Sequence, residues 1–302
     1  MKRRISAIIH TLNEELNIAN AIRSVAPWVD EIVVVDMYSD DRTADIARSL
    51  GARVFRHEKT GFVEPARAYA EAQALGDWIF ILDADEIAPV ELSRELLKIA
   101  ESDRADICYI PRLNYFGGFP MLHTGWGPDQ DKHPRFYRKG ALAYSPLIHS
   151  APQQKGGSRT LSLSYRPGVA IIHFNYLNAS HCIDKLNRYT DIEASHPRQQ
   201  TKKLGAIDMV VRPVWEFMNR YFRKQGFRDG WPGFYYSFLM AFYRATQAMK
   251  LREIDLAGPP ETIRDKYKAI AEEYISHYLH LYGGKVIVEY AKGGAIGVPP
   301  VE

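Results

Sequence analysis

Asp83-Ala84-Asp85-Glu86 sets three carboxylates within four residues, directly after the apolar run Trp78-Ile79-Phe80-Ile81-Leu82. Two carboxylates one residue apart suit a hard divalent cation, which takes oxygen ligands and can in turn hold phosphate oxygens. Burying unpaired charge is costly, so the acids must stand where the apolar run leaves the core. In an open α/β sheet that place is the carboxyl edge, where ligands bind. The chemistry indicated is metal-assisted handling of a nucleotide diphosphate.

Two further polar clusters follow apolar runs in the same way. Ile5–Ile9 leads into His10-Thr11-Leu12-Asn13-Glu14-Glu15, and Glu31–Asp36 (EIVVVD) leads into Met37-Tyr38-Ser39-Asp40-Asp41-Arg42-Thr43. The first turn offers N–H groups and side-chain acceptors to a base or ribose. The competing use of Thr11 or Asn13 is to cap the next helix. Asp36, at the tip of a buried strand, can accept from a nucleobase imide or ribose hydroxyl, while Asp41 or Ser39 can cap the helix that follows. Arg67, behind Gly61-Phe62-Val63-Glu64-Pro65, either reaches a diphosphate or is an ordinary solvated arginine on a helix.

The elements that must position these groups alternate through the first 110 residues. Strands are expected at Ile5–Ile9, Glu31–Asp36, Ala52–Phe55 and Trp78–Leu82. Helices are expected at Glu15–Val25, Thr43–Leu50, Glu64–Leu75 and Val90–Glu101. Such alternation implies βαβ units with right-handed crossovers and a parallel sheet covered on both faces, which puts all three clusters on one edge. Residues 113–168, rich in Gly, Pro, His and aromatics, read as ordered loops at Asn114–Pro120 and Gly125–Pro128, with short strands at Arg135–Tyr137 and Val169–Phe174. From Asn178 to about Leu281 the chain reads as helical. The domain expectation is 1–175 for the α/β unit, 176–282 for a helical extension and 283–302 for a flexible tail.

Bulk properties narrow the classes. The 302 residues are 46% hydrophobic and 25% charged, ordinary for a globular protein, and a net charge of +3 does not by itself argue for nucleic acid. Cys108 and Cys182 form no Cys-x-x-Cys pair, so neither a zinc site nor a disulfide framework is expected. With no signal peptide and no apolar stretch of spanning length, the expected setting is cytoplasmic, with peripheral contact at the inner face of the cytoplasmic membrane as an option.

The blocks IIHTLNEELNI, VVVDMYSDDRT and GFVEPARAYAEAQALGDWIFILDADE, in this order and spacing over about residues 4–100, resemble glycosyltransferase family 2, whose members have the GT-A fold. HPRFYRKG, IIHFNYLNASHCIDKLNRY and GFRDGWPGFYYSFLMAFYR extend the resemblance toward the bacterial lipopolysaccharide-core β-1,4-glucosyltransferase-like branch. His10 departs from the pattern, standing where proline is usual. The resemblance implies a Rossmann-like, mostly parallel sheet with a mainly helical C-terminal extension. It implies an inverting transferase using Mn²⁺ or Mg²⁺ and a nucleotide-sugar donor, most readily UDP-linked, and a saccharide acceptor on lipopolysaccharide core or a lipid carrier. Thr11, Asn13 and Glu14 would line the base and ribose pocket, Asp36 would contact the base and Arg67 would lie near the diphosphate. Asp83 would meet ribose or metal-bound water, and Asp85 would be the main metal ligand.

Direct displacement also needs a carboxylate to take the acceptor's proton. Relatives often carry a glutamate after the histidine of a Val-His-Glu triplet. Here the segment is Ile148-His149-Ser150, so Asp131 is the expected base, with Asp129 of the same Gly-Trp-Gly-Pro-Asp-Gln-Asp loop beside it. His149 and His173 are candidates for a further metal or phosphate contact, against the alternative of buried, satisfied histidines.

Residues 212–252 hold eight Lys or Arg against two acids, Glu216 and Asp229, together with the aromatic run Trp231–Tyr243. Such a helix suits an anionic membrane surface. The same aromatics would equally serve a helix–helix core or a homodimer seam. Three other functions compete with sugar transfer to a lipid-linked acceptor. They are transfer to a peptide, protein or polyprenyl-phosphate acceptor, nucleotidyl transfer, and non-catalytic nucleotide binding. Nucleotidyl transfer is disfavoured because His10–Glu15 contains no glycine, and a dinucleotide-dependent dehydrogenase because no Gly-x-Gly-x-x-Gly follows the first strand.

Overall fold

The structure is a computed structural model and describes residues 3–58, 64–144, 152–195 and 206–282. The expected tail, 283–302, lies outside the described residues. Four parallel strands build the first half of the sheet. They are β1 (Ile5–Thr11), β2 (Glu31–Asp36), β3 (Arg53–Arg56) and β4 (Trp78–Asp83), in the order β3-β2-β1-β4. The three polar clusters therefore share the carboxyl edge. Thr11 stands opposite Asp36 and His10 opposite Asp83 in the registers of β1 with its neighbours.

Helices α1 (Ile18–Val25), α2 (Thr43–Ser49), α3 (Glu64–Gln73) and α4 (Val90–Ser102) connect or follow these strands. The sheet is apolar on both faces, as a covered parallel sheet requires. Ile5, Ala7, Ile9, Phe80 and Leu82 enter one core with α1 and α4, while Ile8, Val33, Val35, Ile79 and Ile81 enter the other with α3. Helix α1 starts three residues later than the spacing predicts. Asn13 takes a left-handed φ of 55°, and the N–H groups of Glu14 and Glu15 are drawn off to Thr43 Oγ1 and Asp41.

Beyond β4 the sheet becomes mixed. It continues through β5 (Glu86–Ile87), β6 (Ile107–Phe116), β7 (Phe119–Pro120) and β8 (Lys132–Arg138), while β9 (Leu142–Ala143) and β10 (Gln153–Gln154) pair as a separate antiparallel ribbon, and β11 (Thr160–Ser162) and β12 (Ile171–Tyr176) return to the main sheet. The order runs on from β4 as β8-β6-β12-β5, with β8 antiparallel to both β4 and β6. This corrects the expectation of loop from 113 onward, because Asn114-Tyr115-Phe116 ends the ten-residue β6. That strand carries no clean alternation and contains Pro111, so its pattern does not announce it.

The remainder is helical: α5 (Ala179–Ser195), α6 (Ala206–Met218), a π turn at Asn219–Arg223, a 3₁₀ turn at Gly226–Asp229, α7 (Gly230–Ala257) and α8 (Pro260–Tyr282). α7 lies against α5 and α6. The aromatic run divides by face. Tyr236 is buried with Phe116, Met121 and Cys182, whereas Trp231, Phe238 and Phe242 are exposed. Both cysteines are buried and unbridged.

Candidate active site

The strand ends place the acids, and a network of arginines compensates them. Arg135, on β8, reaches across to β4 with Nη2 at 2.6 Å from Asp83 Oδ2 and 3.2 Å from Glu86 Oε1. Arg112, on β6, holds the same Glu86 oxygen at 3.3 Å and Asp131 Oδ2 at 2.9 Å. Glu86 is fully buried, and its other oxygen accepts the Asp83 N–H at 2.8 Å. Burial opposes the charge on Asp83, but Arg135 and then Arg67 outweigh it and hold the carboxyl well below its ordinary value. The guanidinium of Arg135 is pushed the other way, upward, because its carboxylate partners outweigh its burial.

Asp85 has a different environment. Its Oδ2 lies 3.4 Å from His173 Nε2 and 4.0 Å from Lys185 Nζ. Burial raises its carboxyl, and His173 followed by Lys185 more than reverses this. The His173 tautomer follows from hydrogen-bond bookkeeping. Asn114 Nδ2 donates to Asp131 Oδ2 at 2.7 Å and to the Trp126 carbonyl at 2.8 Å, so its Oδ1 must face His173 Nδ1, 2.7 Å away. Nδ1 therefore carries a proton, and Nε2 is the nitrogen presented to Asp85. A separation of about 3 Å is what two ligands of one cation have when each lies about 2.1 Å from it. Asp85 and His173 accordingly fit a divalent ion, with Asn114 fixing the ring from behind.

At the ends of β1 and β2, Asp36 is buried and accepts from the N–H and hydroxyl of Ser39. Asn13 caps nothing in α1. Its Oδ1 takes the Asp40 N–H and its own N–H donates to Ser39 Oγ, which ties the first turn to the second. Asp41 serves α2, accepting the Thr43 N–H at 2.9 Å. Glu14 is pushed up by burial and by Asp85, against the hydrogen bond it accepts from Asn17. Arg67, half-buried on α3, acts electrostatically on both His10 and Asp83. Four buried polar atoms on this edge have no hydrogen-bond partner: both ring nitrogens of His10, Thr11 Oγ1 and Arg135 Nη1.

The two acids expected as the base separate. Asp129 is 67% exposed and pairs with Lys132 at 3.3 Å. Asp131 is 11% exposed and its oxygens already receive three donors: Arg112, Asn114 and, at 2.7 Å, His133 Nε2. Burial opposes ionisation, yet Arg112 and His133 hold this carboxyl far below the carboxylate range. His133 is 42% exposed and is pushed down by its surroundings and by Arg112, against the pull of Asp131.

The loop before Asp131 is fixed from the helical side. Asp229 accepts the N–H groups of Leu122 and His123 and the hydroxyl of Thr124. Arg220 bonds the Thr124 carbonyl and covers the Trp126 ring at 5.2 Å. Thr124 sits at φ 63°, a strained setting for a β-branched residue that these contacts enforce.

The structure thus unites Asp83, Asp85, Asp131 and His173 through contacts, with Glu14, Asp36 and Thr11 on the same edge. It leaves Asp129 at the rim, and His149 lies outside the described residues. Arg112, Asn114, His133 and Arg135 are site residues that sequence reasoning missed. Only HPRFYRKG, already singled out as a block, pointed toward two of them.

The chain is similar to known proteins over most of its length. The model of glycosyl transferase family 2 matches residues 6–161. An uncharacterized glycosyltransferase of Rickettsia prowazekii is 30% identical over 272 residues, 88% of this chain and 92% of the relative. The lipopolysaccharide core biosynthesis glycosyltransferase LpsC of Rhizobium meliloti is 30% identical over 264 residues, 83% of this chain and 92% of the relative. Among solved structures, glucosyl-3-phosphoglycerate synthase of Mycobacterium tuberculosis, crystallised with Mn²⁺ and UDP-glucose, is 26% identical over 37% of this chain and 44% of its own. The alignment thus spans less than half of that protein, and its TM-score of 0.32 is too low to carry its ligands over. With a GT-A sheet, a family model matching residues 6–161 and relatives matched over most of its length, the chain belongs to glycosyl transferase family 2.

Proposed function

We propose that this glycosyltransferase moves a hexose, with inversion, from a UDP-linked donor to a saccharide carried on lipopolysaccharide core or on a lipid. The observation that carries the donor reading is the carboxyl edge itself. Asp85 and His173 stand at a two-ligand separation, on the same sheet edge as four buried polar atoms without a hydrogen-bond partner. The acceptor class follows the relative LpsC, which shares 92% of its length with this chain.

Thr11, Asn13, Glu14 and Asp36 surround the base and ribose. Asp83, with Oδ2 held by Arg135, offers Oδ1 to the ribose, and Arg67 and Arg135 Nη1 face the diphosphate. A divalent cation held by Asp85 and His173, Mn²⁺ or Mg²⁺, supplies charge neutralisation at the leaving diphosphate. On the opposite side the acceptor hydroxyl loses its proton to the Asp131–His133 pair. Asp131 is a weak base when three donors already hold it, whereas neutral His133 can take the proton at Nδ1 while Asp131 steadies Nε2–H.

A thermal-shift screen of UDP-, GDP- and dTDP-sugars with and without Mn²⁺ tests the donor reading. Ligand at 100 times its Kd stabilises by about 2.7 kcal/mol. The shift should require metal and vanish in Asp85→Asn. Absence of a metal-dependent shift with every nucleotide would overturn the proposal.

A further inference from the structure

The turns that hold the acceptor loop carry an unusual outer surface. Trp215, Met218 and Phe222 recur at helical spacing along one face of α6 and the π turn, and all three are exposed. Phe227, Trp231 and Phe238 continue this apolar surface from the 3₁₀ turn into α7, with Trp231 72% exposed. The two stretches are contiguous through Tyr221, whose ring meets Phe222 at 5.0 Å, Phe227 at 6.3 Å and Phe234 at 5.7 Å. Phe234 in turn stacks on Trp231 at 5.3 Å.

Charge on this surface is predominantly positive. Between residues 206 and 245 there are six Lys or Arg and three acids, Asp208, Glu216 and Asp229. Each acid is engaged: Asp208 pairs with Arg212, Glu216 accepts from Arg220 and lies near Arg244, and Asp229 holds the 122–124 loop. Arg223 and Arg228, each following an exposed phenylalanine, are exposed themselves. Among the described residues no helix is long and apolar enough to cross a bilayer. An aromatic surface rimmed by cations, with its few acids paired or turned inward, matches an anionic lipid interface in both polarity and charge.

We infer that the exposed aromatic and basic face of α6, the following turns and the start of α7 docks on an anionic lipid bilayer. The same turns brace the loop leading to Asp131. Docking there sets the acceptor side of the active site at the height of lipid headgroups, where a lipid-borne saccharide is presented. The surface argument stands apart from the donor reading, since it invokes no nucleotide or metal.

Cosedimentation of the full chain with vesicles of phosphatidylcholine, with and without phosphatidylglycerol, tests it. Wild type should partition to the anionic vesicles only, and added salt should weaken binding. Each basic residue near such a surface contributes roughly a fivefold factor, so Arg223→Ala with Arg228→Ala should weaken partitioning about 25-fold. Trp231→Ser should weaken it independently of salt. Equal partitioning of wild type and variants, or none by wild type, would overturn the inference. So would loss, on the same substitutions, of a self-associated species in sedimentation velocity with vesicle binding unchanged, which would assign the face to a second copy. The nucleotide thermal shift of these variants should equal wild type, so failure here is separable from failure of the donor proposal.

Discussion

His10 gives this chain a pH-dependent stability that a proline at the same position would not confer. The ring is buried on β1 opposite Asp83, and its nitrogens have no hydrogen-bond partner. Burial first, and Arg67 second, lower its pKa from 6.5 to about 3. Asp83 pulls the other way, and the nearby Ala66 backbone favours the charged form without making a well-formed hydrogen bond. The unfolded chain therefore binds a proton that the folded chain refuses. The stability due to neutral His10 is complete above pH of about 6.5 and is lost progressively as pH falls toward 3. Between about pH 7 and pH 5 this linkage amounts to about 2 kcal/mol. Urea unfolding of wild type and His10→Asn, followed by tryptophan fluorescence at both pH values, isolates the effect. Other groups titrate alike in the two proteins, so the variant should lose about 2 kcal/mol less than wild type between them. Parallel losses would refute the assignment of a neutral, proton-refusing His10.

Three further outcomes are expected. His133→Gln and Asp131→Asn should each lower transfer about 10²–10⁴-fold with donor affinity retained, while Asp129→Asn leaves transfer intact; steady-state UDP release and donor titration read both. Arg135→Met should destabilise by about 3–5 kcal/mol in denaturant unfolding, because Asp83 loses its ion pair and fully buried Glu86 loses one of its two arginines. Asp229→Ala should remove about 3 kcal/mol or more of stability and abolish transfer, yet leave donor binding near wild type, since its partners all lie in the 122–124 loop.

The gathering of the three acidic clusters on one sheet edge was legible because strand burial and chemistry coincide in short stretches of chain. EIVVVD and WIFILDADE each pair an apolar run with the acid that ends it, and the parallel sheet aligns their tips. The rest of the site was not legible, for two reasons. β6 mixes inward and outward residues around Pro111 without a period of two, so the strand that supplies Arg112 and Asn114 looks like loop. The decisive pairs also join residues far apart in sequence: Arg135 lies 52 residues from Asp83 and His173 lies 59 from Asn114, and only strand register brings them together. His173 was among the candidates by residue type. His133 opens the block HPRFYRKG, but an isolated histidine before a proline gave no sign of the role its contact with Asp131 suggests.

The Asp229 clasp has a consequence for biogenesis. Leu122 is bonded to a residue 107 positions further along the chain. During synthesis the strands that gather Asp83, Asp85 and Asp131 emerge well before Asp229 does. The nascent enzyme can thus assemble a donor pocket while its acceptor loop still lacks the carboxylate that holds Thr124 in its strained turn. Completion of the acceptor side is the later event, and it coincides with the emergence of the aromatic turns. If the proposed donor reading holds, a chain stopped short of residue 229 would keep the residues assigned to the sugar nucleotide but lack the carboxylate that fixes the loop leading to Asp131.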